Sequence, residues 1–217
     1  MSHQPSEAVE MYLRTVLELE EEGVPPLRAR LAERLGLSAP AVSEGVAKLE
    51  QSGMAVLGGD RVVSLTSEGR TRAEHVMRKH RLAERLLVDV LGLEHEHVHE
   101  EACRWEHVIS DRVEAKLTEF LGNPTTSPYG NPIPGAARDG SEPVSLADAN
   151  EGRVTISYFS EHLQGDHDVI QELERRRMWS GTTVELARGA DVVELRRDGE
   201  VVVLDEGDAK LVFVTPA

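Results

Sequence analysis

The sequence predicts a mainly α-helical fold with a β-rich C-terminal part, and three observations predict it. Residues 1–123 hold five segments with apolar side chains at helical spacing, interrupted by one hairpin signal. Residues 151–217 instead hold five short β-prone runs around one short helix, the pattern of a small barrel. A stretch rich in proline and then in small polar residues, 124–150, lies between them. The expected divisions are 1–72, 73–135, a linker over 136–150, and 151–217.

The first division reads as helix, helix, helix, hairpin. Ala8 to Glu21 places Val9, Tyr12, Leu13, Val16, Leu17 and Leu19 mostly at helical spacing, and Gly23 with Pro25-Pro26 ends it. Leu27 to Leu35 is a short helix, and Gly36-Leu37 is the turn after it. Ser38 is placed to cap a third helix, with Pro40 in its first turn; Ser52-Gly53 stops it after Gln51. Met54 to Leu57 and Arg61 to Leu65 are β-prone and joined by Gly58-Gly59-Asp60. Two helices about a short glycine turn, with a hairpin behind them, form the pattern of a winged helix-turn-helix, a reader of double-stranded DNA. The outer face of the third helix is small: Ala39, Ala41, Ser43, Gly45 and Ala47 would let backbone approach a groove. Arg28, Arg30, Arg34, Lys48 and Arg61 supply charge for phosphates. A helical hairpin packed for structure alone is the competing reading.

Two long helices follow, Ser67 to Leu91 ending at Gly92, and Val98 to Leu121 ending at Gly122-Asn123-Pro124. Leu82, Leu86, Leu87, Val90 and Leu91 exceed what one helix needs for its own domain, which suggests a homodimer surface. A self-contained helical pair is the alternative. Pro124, Pro128, Pro132, Pro134 and Gly135 stiffen the start of the linker region, while Ala136 to Asn150 is expected to be mobile. The C-terminal strands are expected at Val154–Phe159, Thr183–Leu186, Val192–Leu195, Val201–Leu204 and Leu211–Val214, with a helix at Val169–Arg175.

Composition narrows the function. A formal net charge of -15 argues against non-specific coating of nucleic acid but leaves room for a local basic patch. The single cysteine excludes an intramolecular disulfide and fits a reducing compartment. The first residues lack the basic and apolar regions of a signal peptide, and no run of about 18 apolar residues suggests a membrane span. A cytoplasmic protein with no membrane partner is the expectation.

The chemistry-bearing residues are potential metal ligands. Cys103, Glu106 and His107 stand at i, i+3 and i+4, which on a helix places them within about 5–6 Å of one another. Thiolate, carboxylate and imidazole together suit a transition metal. His80 and Glu84 are also four apart, and His99 lies four residues before Cys103. Spacing alone permits a rival grouping, with His99, Cys103, Glu106 and His107 closing one structural zinc site on a single helix. His95 and His97 lie in a Glu/His-rich run that reads as solvated.

Several long motifs, in order, resemble the diphtheria toxin repressor family of iron-dependent metalloregulators. They are Glu10-Met-Tyr-Leu-Arg-Thr15, Met77-Arg-Lys-His-Arg-Leu-Ala-Glu-Arg-Leu-Leu87, Glu101-Ala-Cys-Arg-Trp-Glu-His107 and Ser127-Pro-Tyr-Gly-Asn-Pro-Ile-Pro-Gly135. The resemblance implies a winged helix-turn-helix, a helical metal-binding and dimerisation domain, and an SH3-like C-terminal domain. It implies a dimeric repressor that binds a palindromic operator when loaded with metal. Its primary metal site would combine Met11, Cys103, Glu106 and His107. Its ancillary site would combine His80, Glu84 and His99 with Glu161 and Gln164, whose E-x-x-Q spacing matches. Anion contacts would fall on Arg81, Ser127 and Asn131. DNA contacts would fall on Arg28, Arg30, Ser38, Pro40, Ala41, Ser43, Glu44, Lys48 and Arg61.

The ion expected is Fe2+, two per chain, with Mn2+, Co2+, Ni2+ or Zn2+ able to substitute. The thiolate of Cys103 argues against a site dedicated to manganese, which prefers oxygen donors. A manganese-responsive repressor is the nearest alternative; a metal-dependent hydrolase is a distant one, since no nucleophile motif accompanies the ligands. Glu44 departs from the family, where glutamine is frequent, and Gln51 stands where a basic residue is common. A carboxylate can only accept at a base edge and repels phosphates, so both departures bear on the operator sequence.

Overall fold

The computed structural model describes residues 7–137 and 142–217. The chain divides into two compact units, one ending at Lys79 and the other starting at His80. In the N-terminal unit, α1 spans Glu7–Glu21, α2 Arg28–Leu35 and α3 Ala39–Gln51, followed by β1 at Ala55–Leu57 and β2 at Val63–Leu65. The helix α4, Ser67–Asp89, starts in this unit and continues into the next.

Local chemistry sets these boundaries. Gly36 ends α2 in the left-handed conformation, φ 64°, and its N–H bonds back to the last turn. The Ser38 hydroxyl accepts from the Ala41 N–H, and Pro40 sits in the first turn of α3. The hairpin pairs Ala55 with Leu65, Val56 with Ser64 and Leu57 with Val63; Asp60 and Arg61 make its turn, with Arg61 at φ 68°. Leu13, Val16, Leu19, Leu31, Val42, Val46, Leu49 and Val63 are buried in one core, to which α4 adds Ala73 and Met77. The helices and hairpin therefore form the winged helix-turn-helix anticipated from the sequence.

Gly45 has a different role from the one its position on the outer face of α3 suggests. A Cβ there would lie 2.3–2.7 Å from the Tyr12 ring. Tyr12 is itself buried, and its hydroxyl donates to the Ala41 carbonyl at 3.3 Å. Gly45 thus permits close packing of α3 on α1 and does not thin the groove-facing surface.

The second unit holds the rest of α4, then α5 at His95–Trp105 and α6 at Asp111–Phe120. The sequence reading of one helix over Val98–Leu121 is corrected here. The chain turns at 106–110, where Ser110 caps α6 by accepting from the Val113 N–H at 3.3 Å. Leu82 and Leu87 are buried within the chain's own core, so they do not supply a dimer surface. Val90, Leu91, Val108, Val113 and Phe120 are the apolar residues left exposed on this helical part.

The C-terminal strands are β3 Val144–Ser145, β4 Gly152–Phe159, β5 Thr183–Arg188, β6 Val192–Arg197, β7 Glu200–Asp205 and β8 Val212–Pro216. They form one antiparallel sheet in the order β3-β8-β4-β5-β6-β7. Three short helices accompany them: α7 Glu161–Gln164, α8 His167–Arg175 and α9 Glu206–Ala209. Of the stretch 136–150 read as a mobile linker, 138–141 lie outside the described residues; the part after them contributes β3, and Leu146 and Ala149 are buried beside it. Apolar side chains two or three residues apart anchor a segment whose composition is otherwise polar. A single core joins Ala83, Leu87, Val98 and Ala102 of the helices to Ile156, Phe159, Leu163 and Ile170 of the sheet part. This shared core brings α7 to the helices that carry the metal-ligand candidates.

A glycine inside a helix normally costs about 1 kcal/mol relative to alanine. Gly45→Ala is expected to do the opposite and lower stability by about 1–3 kcal/mol, because the Tyr12 ring must leave its packed position. Urea unfolding of the two proteins decides the sign.

Candidate metal centre

His80 and Glu84 lie one turn apart on α4, His99 is on α5, and Glu161 is the first residue of α7. Ser160 caps α7 by accepting from the Leu163 N–H, which fixes where Glu161 begins. One ligand atom from each of His80, Glu84, His99 and Glu161 lies within 4.8 Å of all the others. His80 Nε2 is 2.9 Å from Glu84 Oε1 and 3.4 Å from Glu161 Oε2. His99 Nδ1 is 3.9 Å from Glu84 Oε1 and 3.7 Å from Glu161 Oε2. Gln164 is wholly buried, with its amide donating to Asn131 Oδ1 at 3.0 Å and to the Phe159 carbonyl at 2.9 Å.

The remaining ligand candidates are arranged differently from the expectation of one helical face. Because α5 ends at Trp105, Glu106 and His107 lie in the turn beyond it. Glu106 Oε2 is 2.7 Å from His80 Nδ1, and Glu106 Oε1 is 3.2 Å from His107 Nε2. Cys103 Sγ is 3.5 Å from His99 Nε2, and the thiol clusters with His80 and His99. Among the described residues, Cys103, Glu106 and His107 do not form a group with all ligand atoms within 4.8 Å. Met11 belongs to the other unit, on α1.

The electrostatics are those of charges removed from water. Burial alone would lower the His80 pKa, but Glu84, with Cys103, Glu106 and Glu161, holds it well above the ordinary imidazole value. Burial likewise opposes protonation of His99, yet Cys103 and Glu84 raise it to about 9. Burial would raise the Glu161 carboxyl; Arg81, and after it His80 and His99, hold it far below the usual range. The Arg81 guanidinium is fully enclosed, donating to Glu161 Oε1 at 2.9 Å and to the Pro132 carbonyl at 2.5 Å. A carboxylate of the chain itself thus faces Arg81, where the resemblance implies an anion contact. Ser127 and Asn131, the other residues of that set, lie 3.3 Å apart with the Ser127 hydroxyl donating.

The donor set fits a divalent transition metal. Buried Glu84 Oε2, Glu161 Oε2, His99 Nδ1 and Gln164 Oε1 make no hydrogen bond, and such atoms in a dry interior are costly unless something binds them. Imidazole with carboxylate oxygens is a donor mix that iron, manganese, cobalt and zinc all accept.

Sequence reasoning missed the packing around His95. Its Nδ1 is 2.8 Å from Glu174 Oε1, its ring centroid is 4.6 Å from that of Trp179, and its carbonyl accepts from the Tyr129 hydroxyl at 2.6 Å. The Glu/His-rich run is therefore partly an interface between α5 and α8, and the scarcity of aromatics was the available signal. Trp179 also donates to the Pro128 carbonyl at 2.9 Å. Gly130, at φ 91°, lets this loop lie against β4, since a Cβ would meet the Ser157 carbonyl at 2.0 Å.

On the DNA-reading side, Glu44 and Lys48 form an exposed i, i+4 ion pair at 2.8 Å on α3. Ser43 donates to the Ala39 carbonyl, Arg30 pairs with Glu33 at 3.0 Å, and Arg34 is committed to Glu22. Arg34 is a structural residue in this fold, not a free phosphate contact.

A winged helix-turn-helix and a buried imidazole–carboxylate centre define a metal-responsive DNA-binding repressor as the class of protein. The comparisons agree. Residues 5–63 match the iron dependent repressor N-terminal DNA binding domain, and residues 66–135 match the iron dependent repressor metal binding and dimerisation domain. The iron-dependent repressor IdeR of Mycobacterium tuberculosis is 54% identical over 180 residues, covering 77% of this chain and 78% of the relative. The diphtheria toxin repressor of Corynebacterium diphtheriae is 45% identical over 208 residues, covering 91% and 92%. A solved manganese-dependent transcriptional repressor in complex with manganese superposes with a TM-score of 0.83 at 28% identity, covering 96% of this chain and 100% of that one. The chain belongs to the iron-dependent repressor family, whose members are transcriptional repressors and not enzymes. Among the described residues no helix is long and apolar enough to cross a membrane.

The raised His99 value fixes a pH dependence. A group whose folded pKa exceeds its unfolded value of about 6.5 stabilises the fold fully below that pH. This stabilisation is lost as pH rises through about 9. The metal-free protein should therefore melt at falling temperature from pH 6.5 to 9. A metal needs the bare nitrogen, so its affinity should rise over the same interval. Thermal unfolding with chelator and with cobalt(II) measures both; the gap between the two melting temperatures should widen with pH, and a narrowing gap contradicts the assignment.

Proposed function

We propose that this chain is a ferrous-iron-dependent repressor that binds an inverted-repeat operator as a homodimer when each chain holds two metal ions. The ancillary ion would be held by His80, Glu84, His99 and Glu161, with Gln164 beside them. The primary ion would be held by Cys103, Glu106 and His107 together with Met11. Arg81, Ser127 and Asn131 would be the anion-contacting set, with Glu161 supplying the carboxylate. The observation that carries the reading is the buried cluster of His80, Glu84, His99 and Glu161, whose ligand atoms converge and in which Glu84 Oε2, Glu161 Oε2 and His99 Nδ1 make no hydrogen bond.

Loaded with an ion, the centre would supply electrostatic cross-linking and no reaction. Glu161 would tie the SH3-like part, 151–217, to the helices of 73–135. Met11 would tie the DNA-reading part, 1–72, to the primary ion. Metal then shifts the population toward the DNA-competent state because it binds that state better. Ser38, Pro40, Ala41, Ser43 and Glu44 on the recognition helix would face base edges, and Arg28, Arg30, Lys48 and Arg61 would face phosphates. The exposed Val90, Leu91, Val108, Val113 and Phe120 supply apolar surface for the dimer.

A manganese-responsive repressor is favoured by one observation, the two carboxylates of the ancillary set with the unbonded Gln164 amide oxygen beside them. The thiol of Cys103 favours iron, and competition between the two ions under anaerobic conditions separates the readings.

Anaerobic titration of the parent should saturate at two ions per chain, and operator DNA should bind only with metal. Met11→Leu keeps the apolar volume and removes the sulfur. It should blunt metal-induced operator binding more than it weakens metal binding through Cys103, Glu106 and His107. Calorimetry paired with gel shift at saturating metal checks this; operator binding equal to the parent's would return Met11 to the role of a packing residue.

A further inference from the structure

His80 is fully enclosed, and carboxylates engage both of its ring nitrogens. Nε2 lies in the four-donor cluster, 2.9 Å from Glu84. Nδ1 lies 2.7 Å from Glu106 Oε2, and the other oxygen of Glu106 is 3.2 Å from His107 Nε2. One imidazole therefore joins the cluster to a carboxylate assigned to the other metal set.

An imidazole that gives Nε2 to a metal keeps its N–H on Nδ1, and here that N–H faces Glu106 Oε2. The hydrogen bond fixes the carboxylate in return. With Oε2 accepting from His80, Oε1 is directed to the His107 side. A carboxylate held in this way has already lost the rotational freedom that ligation would remove.

We propose that His80 is a positioning residue for the primary metal set in addition to a ligand of the ancillary one: its Nδ1–H holds the Glu106 carboxylate in the orientation that ligates beside His107. This rests on the two-set reading above and deepens it. The sets become consecutive links in one chain, His107–Glu106–His80–Glu84. An ion on Nε2 restrains the ring, the ring restrains Glu106, and the second ion meets a preorganised ligand.

The test separates the two nitrogens of one residue. His80→Asn removes the Nε2 ligand but keeps an amide donor where Nδ1 stood. His80→Leu is close in size and has no donor. His99→Ala breaks the ancillary set while leaving the His80–Glu106 contact intact. The full chain of each variant is titrated with cobalt(II) without oxygen; because the Cys103 thiol also lies beside His80 and His99, the cobalt band that His107→Ala abolishes is the one taken to mark the ion of the primary set.

Outer-shell partners of metal ligands typically govern about 10–100-fold in affinity. The primary-set affinity of His80→Leu should be weaker than that of His99→Ala by a factor in that range, with His80→Asn close to His99→Ala. Circular dichroism confirms folding, and His80→Ala replaces His80→Leu should the latter fail to fold. Equal primary-set affinities for the variants with and without the donor would overturn the proposal while leaving a two-ion parent untouched. A parent that saturates at one ion per chain would remove the two-set reading, and the proposal with it.

Discussion

The structure turns on the enclosure of ionisable groups around His80. Glu84, Glu106 and Glu161 bring three carboxylates into an interior where an unpaired charge would cost several kcal/mol. Arg81 offsets one of them through Glu161. His80 and His99, both raised above ordinary imidazole values, offset the other two when protonated. A divalent ion can replace those two protons without changing the total charge. Under the proposed function such a centre would exchange protons for metal, which is what a reversible sensor needs and a closed structural site does not.

This constraint explains the architecture around it. The residues of the centre come from α4, α5, the turn after α5, and α7, so it can be dry only where all four meet. The shared core of Ala83, Leu87, Val98 and Ala102 with Ile156, Phe159 and Leu163 provides that meeting. Ser160 sets the start of α7, Asn131 and the Phe159 carbonyl hold Gln164, and Trp179 and Tyr129 pin the loop between helices and sheet. The same helix that carries His80 and Glu84 also contributes Ala73 and Met77 to the N-terminal core. Met77 and His80 thus stand on one continuous helix, Ser67–Asp89.

Much of the fold was legible because its signals are local. The Ser38 cap, the glycine after α2, the hairpin at Gly58-Gly59-Asp60 and the alternating C-terminal strands each act within a few residues. The break between α5 and α6 was signalled only by the Ser110 cap, which an otherwise continuous helical pattern concealed. The strand at Val144–Ser145 was hidden because its partner, β8, is some seventy residues away. At the centre, spacing brought out His80 with Glu84 and Cys103 with Glu106 and His107, whereas Glu161 came only from a family resemblance, since no periodicity links it to α4. Spacing also assumed that a helix continues through His107. It ends at Trp105, so Glu106 turns to His80, while Cys103, still within α5, meets His99 one turn earlier. Gly45 and Arg34, read as groove-facing, serve Tyr12 and Glu22 because packing partners distant in sequence leave no local trace.

The central claim is that the buried cluster around His80 is a metal site distinct from, and adjacent to, a second one. Anomalous diffraction from crystals grown with ferrous iron under anaerobic conditions measures this directly. The account predicts two peaks per chain, one enclosed by His80, Glu84, His99 and Glu161 and one beside Glu106 and His107. A single peak held by His99, Cys103, Glu106 and His107 together would contradict it.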